Sequence, residues 1–204
     1  QISTKLLDAF KAEINMAENL TNDSLGLLEF EFTKHQSTFS LEQKYVIYYG
    51  LAWEYDFKQD YTNALYQANM ALSCAESLNK KEFIADAYQL IAQMEFRIHV
   101  FDEALNSYQK ALSIYEDLND TTMRCVTTLG TAISFSGLKQ NEKSFEAFNL
   151  AVKIANISNN PKLENFVYQN VASYFIEREK PDSALRYLEM CNEFRSKSNV
   201  DNYI

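Results

Sequence analysis

Apolar residues recur along this chain at three- and four-residue steps, and short polar links interrupt them at regular intervals. In DEALNSYQKAL, residues 102–112, the positions Ala104, Leu105, Tyr108, Ala111 and Leu112 fall on one side of a helix. The stretch before it, EFIADAYQLIAQMEFRIHVF (82–101), places Tyr88, Ile91 and Ala92 on one helical face. The same reading predicts helices over 3–19, 23–36, 41–58, 61–78, 81–98, 101–118, 121–137, 141–157, 162–178 and 182–197. Links such as LNDTT and SNNPK are short and polar, and none has the character of a domain linker.

The pattern repeats. Forty residues before Ala104-Leu105 stands Ala64-Leu65; forty after stands Ser144-Phe145, and forty more gives Ala184-Leu185. Seven positions on from the first residue of each pair come Ala71, Ala111, Ala151 and Cys191. A weaker copy begins at Ser24-Leu25. Each unit holds two helices, with small residues at Ala52, Ala92, Ala132 and Ala172 where the helices of a pair approach closely. Tyr61 and Phe101 are placed to close the turn inside a pair. These copies divide the chain into 1–40, 41–80, 81–120, 121–160 and 161–204, read as a single repeat domain. The chain starts at Gln1 without Met and is expected to be a fragment of a longer protein.

On these residues the sequence resembles the tetratricopeptide repeats. Residues 48–72 supply Tyr48, Leu51, Ala52, Tyr55, Tyr61, Ala64, Leu65, Ala71 and Leu72 to that pattern; residues 88–112 supply Tyr88, Ile91, Ala92, Phe101, Ala104, Leu105, Tyr108 and Ala111. There are departures. The family period is about 34 and here it is forty, and Glu76 and Glu116 stand where a closing proline is common. Thr128 and Thr131 occupy positions expected to be bulky and apolar, and the first copy has Asp8 and Lys11 there, which suits a capping pair. The resemblance implies an all-α, right-handed α-α superhelix of about five helix pairs, with a concave face lined by the first helix of each pair. The forty-residue period is also similar to arrays in bacterial signalling proteins: sensor regions ahead of diguanylate cyclases or histidine kinases, and regulators that bind secreted peptides.

Composition narrows the picture. Only 4 glycines and 2 prolines leave little material for β-hairpin turns. A net charge of −9, without a Lys/Arg cluster, argues against a nucleic-acid partner. No 18-residue apolar run is present, so no direct membrane insertion is expected in this segment. Cys74, Cys125 and Cys191 lack zinc-ligand spacing and read as buried thiols, so neither a metal nor a cofactor is expected. His35 and His99 fall on different repeats near helix ends, and no P-loop, G-x-S-x-G or H-E-x-x-H occurs; the chain reads as a non-enzyme. EREKPD (177–182) reads as a solvated turn. Localisation stays open between bacterial cytoplasm and periplasm.

The concave stripe maps onto Tyr49, Trp53 and Phe57; then Gln89, Gln93, Phe96 and Arg97; then Leu129 and Ile133; then Phe166, Gln169 and Ser173. Aromatic surface with glutamines and one arginine suits an extended or helical peptide. Helices that clamp a C-terminal carboxylate use Lys and Asn; the matching residues here, Tyr49, Trp53, Leu90, Val126 and Gly130, have no such chemistry. The expectation is a protein- or peptide-binding scaffold, the sensor or adaptor region of a bacterial signalling protein, with a homo-oligomerisation scaffold as the alternative.

Overall fold

The computed structural model describes residues 29, 30 and 32–200, with side chains to 192. The helices expected at 3–19 and over most of 23–36, and the proposed capping pair, lie outside the described residues. A helical stretch at 32–35 leads through a 3₁₀ turn, Gln36–Thr38, into α1 (Leu41–Phe57), α2 (Tyr61–Leu78), α3 (Lys81–Arg97), α4 (Phe101–Asp117), α5 (Thr121–Gly137), α6 (Asn141–Ile157), α7 (Pro161–Glu177) and α8 (Pro181–Val200). No strand occurs among the described residues. Helix starts fall at 41, 61, 81, 101, 121, 141, 161 and 181, so one helix plus its turn takes twenty residues.

The turns explain that regularity. Gln59, Asn79, His99, Asn119, Lys139, Asn159 and Glu179 all have positive φ, and none is glycine. After six of these seven, the next amide reaches back to a carbonyl in the last helical turn, as in Asp60 N to Tyr55 O at 2.9 Å and Gln140 N to Phe135 O at 3.0 Å. One left-handed residue thus closes the helix and reverses the chain, satisfying carbonyls that the helix end leaves open. The next helix is then capped. Ser40 and Gln43 form a capping box, Asp60 accepts from Asn63 N, Asp120 from Met123 N, and Asn160 from Lys162 N and Leu163 N. Pro161 occupies the first helical turn, where its missing N–H costs nothing.

The chain divides into two compact units, Gln1–Ile114 and Tyr115–Ile204. In the first, Ala52, Ala64 and Ala68 are fully buried against Leu90, Ile91 and Met94, and Ala92 meets Ala104 and Tyr108. A second cluster joins Phe32 and Phe39 to Tyr45, Tyr48 and Leu51. Glu29 accepts from the Tyr55 hydroxyl and the Gln67 amide, tying the stretch before α1 to the first pair. In the second unit, Cys125, Ala132, Phe148, Ala151, Val167, Val171, Phe175 and Ala184 form one core. All three cysteines are buried and outside any disulfide.

The expected weak point in α5 is resolved by back-bonding. Thr127, Thr128, Thr131 and Ser134 each donate to the carbonyl four residues earlier, at 2.7 to 3.0 Å. The hydroxyls are satisfied inside the helix, so their methyl and methylene groups can be buried as small apolar surface. Ser144, standing where the other copies have alanine, donates to Ala132 O at 2.9 Å. The solvated-turn expectation for EREKPD needs correction at Arg178. Its guanidinium lies 3.9 Å from the Tyr174 ring centroid and donates to Ser136 Oγ at 3.1 Å and Asn141 Oδ1 at 2.8 Å, pinning the α7 end to the α5–α6 turn.

Candidate binding faces

In the first unit, α1 carries Tyr49, Trp53 and Phe57 along one side. Tyr49 is half-buried, one helical turn before Trp53, whose indole lies near enough to its hydroxyl to lower the phenol's pKa somewhat. Burial, with Asp86 nearby, holds the Tyr49 phenol above its ordinary pKa, so it remains a neutral partner. Tyr45, stacked on Phe83 at 4.2 Å, supports Tyr49 from behind at 5.7 Å. Trp53 is 40% exposed and Phe57 70%. The Asp56 carboxylate, itself little exposed, pairs with Arg97 across to α3, Nε to Oδ1 at 3.3 Å. Gln93, one helical turn before Arg97 on α3, is half-buried.

Three of the residues read as a surface stripe do not present one. Leu129 is 2% exposed and belongs to the core with Cys125, Ala132 and Val167. Gln89 is buried. Phe96 turns to the α3–α4 junction, packing on Phe101 at 5.4 Å and against the Ala92–Ala104–Tyr108 contact. The cause is geometric. A helix packed on neighbours at both sides leaves a solvent stripe narrower than one face, so positions one step around the helix are covered.

In the second unit, Phe166 is 45% exposed, Gln169 and Ser173 are exposed, and Ile133 is half-buried. Between α5 and α7 lies a half-open hollow of about 100 Å³. Ile133 and Phe148 form its apolar wall; Ser136, Asn170, Ser173, Tyr174 and Glu177 complete it. Of these, only Ile133 and Ser173 were anticipated. Asn170 and Glu177 continue the three-to-four-residue series Phe166, Asn170, Ser173, Glu177, so the signal existed in spacing, although residue type did not single them out. Among the described residues, no group of His, Cys, Asp and Glu is arranged to hold a metal, and no helix is long and apolar enough to cross a membrane.

No family model matches the chain, and no curated protein matches it. Solved structures do. The chain is similar to the apo form of RapI, at 14% identity and TM-score 0.77, over 100% of this chain and 73% of that one. It is similar to a putative kinesin light chain from Podosopora anserina with nearly identical tetratricopeptide-like repeats, at 12% identity and TM-score 0.71, covering 96% and 95%. It is also similar to a Rap protein complexed with Competence and Sporulation Factor, at 15% identity and TM-score 0.69, over 97% of this chain and 66% of that one. Consecutive antiparallel helices, the small-residue contacts between them and these similarities give the same result: the chain has a tetratricopeptide-type helical-repeat fold.

Proposed function

We propose that this chain is a scaffold that binds a protein or peptide on the exposed side of its first helices, without catalysing a reaction. The observation that carries this reading is Trp53 with Phe57: two large apolar side chains left in solvent one helical turn apart, on the helix whose Asp56 pairs with Arg97. Exposed aromatics beside fixed polar groups are what a peptide-recognising surface needs. The similarity to a Rap protein complexed with a factor supports it. The context we assign is the sensor or adaptor region of a bacterial signalling protein. Trp53 is the sole tryptophan, so its fluorescence reports directly. A peptide pool added to the chain should shift and saturate that emission, and Phe57→Ala should weaken the response about tenfold while the circular dichroism stays helical. An unresponsive emission across the pool would rule out this face.

A second reading, self-association, is favoured by α8. Leu188 is 40% exposed, whereas Ala68, Tyr108 and Phe148 at the equivalent position of earlier second helices are buried, and Leu185 beside it is 56% exposed. Light scattering across a concentration series separates the readings: a constant monomer mass excludes a stable assembly.

A further inference from the structure

The hollow of the second unit has a chemistry that the aromatic face of the first lacks. Its donors are largely spent. The Asn170 amide donates to Phe166 O at 2.8 Å, the Ser173 hydroxyl to Gln169 O at 3.1 Å, and the Tyr174 hydroxyl to Asn141 O at 3.4 Å. What remains is mostly acceptors: Asn170 Oδ1, whose orientation follows from the amide's bond to a carbonyl, the lone pairs of Ser173, and the Glu177 carboxylate, beside the Ser136 hydroxyl, which accepts from Arg178 and keeps its own proton to donate. Glu177 is the one ionised side chain among the lining residues. Ile133 and Phe148 supply apolar wall below it.

Size decides what can enter. About 100 Å³ is far below the roughly 300–1,000 Å³ of pockets that enclose a metabolite or cofactor, but it has room for a single extended side chain. An apolar wall leading to a carboxylate and two further acceptors matches a side chain with an aliphatic stem and a cationic head. We infer that this hollow takes the lysine or arginine side chain of a bound peptide, its stem on Ile133 and Phe148 and its head at Glu177 and Asn170 Oδ1. The inference rests on the peptide-binding reading and assigns the charge of the residue that is recognised.

The opposing charge is Arg178. It does not line the hollow, and its Nη2 is committed to Ser136 Oγ and Asn141 Oδ1 while the guanidinium lies on Tyr174. Its nearness works against a second cation, so attraction at the hollow depends on Glu177 itself, the acidity of the chain adding only a long-range pull. That makes Glu177→Gln the decisive variant. Glu177 is exposed at the end of α7, so the substitution leaves the core intact.

The test is a titration of the isotopically labelled chain, followed by amide chemical shifts, with four blocked five-residue peptides: alanines around a central lysine, arginine, leucine or glutamate. The lysine and arginine peptides should move the signals of residues 133–136 and 170–177 saturably, with Glu177→Gln weakening them about tenfold. The leucine and glutamate peptides should leave those signals in place. If the leucine peptide moves them equally, or if Glu177→Gln changes nothing, the cation assignment fails while peptide binding stands. If no peptide reaches the hollow but the pool still shifts Trp53 emission, the hollow is not a subsite and the aromatic face stands alone. If neither responds, both readings fall.

Discussion

Polar side chains in the helix contacts are tolerated where each finds a partner, and Glu95 is where that condition is only half met. Ser144 and the α5 threonines have bonded hydroxyls. Glu95 has one carboxylate oxygen buried with no hydrogen-bond partner. Burial raises its pKa above the ordinary 4.5, a hydrogen bond from Ser107 pulls the other way, and Glu103 adds to the rise. The folded chain therefore holds this proton more tightly than the unfolded chain does. Stability from Glu95 is fully present below the unfolded value and is lost as pH rises through the folded one. Glu95→Gln keeps the shape and removes the charge. It should stabilise the fold at pH 7 by up to about 1 kcal/mol after allowance for solvent screening, and the gain should vanish near pH 4. Urea melts at the two pH values check this; an equal effect at both would mean the charge is not the cause.

At the scale of the element, the unit is a helix of about seventeen residues closed by a left-handed residue. A non-glycine there costs about 1–2 kcal/mol, less for Asn, whose short amide suits that conformation. Asn79, Asn119 and Asn159 fit this; Lys139 and Glu179 do not. Lys139→Gly should stabilise the second unit, by up to about 1 kcal/mol once the added freedom of the unfolded chain is subtracted. Asn119→Gly should be close to neutral. Denaturant midpoints measure both, and a destabilised Lys139→Gly would show that its side chain contributes something the backbone argument omits. The helix starts were legible because the apolar period and its interruptions are strong, and from residue 41 onward they agree with the structure to within one residue. Pro161 and Pro181 were placed just outside their helices, yet both open them, because proline suits the first helical turn. Burial one step around each helix was not legible: nothing in residue type separates Leu129, which is core, from Ile133, which borders the hollow. Arg178 was also missed, since its partners Ser136 and Asn141 lie about forty positions away in sequence.

Across the whole molecule, the net charge of −9 acts on both proposed uses, in opposite directions. Copies of this chain repel one another at long range, so association through the exposed α8 leucines is opposed electrostatically and favoured by apolar burial. Salt screens the repulsion, with a Debye length of about 10 Å at 0.1 M and about 3 Å at 1 M. A self-associating chain should therefore assemble more strongly as salt rises. A cationic peptide is drawn in by the same field and held at Glu177, so its affinity should fall over the same range. The leucine-centred control carries no charge and should change little. Measuring apparent mass by light scattering and lysine-peptide affinity by chemical shift, on one preparation from 0.1 to 1 M salt, sets the two against each other. Mass that climbs while the peptide stays unbound would favour assembly through α8. Constant mass with affinity that declines as the charge is screened would favour recognition of a basic segment. Peptide affinity that is indifferent to salt would remove Glu177 from the contact, whatever the mass does.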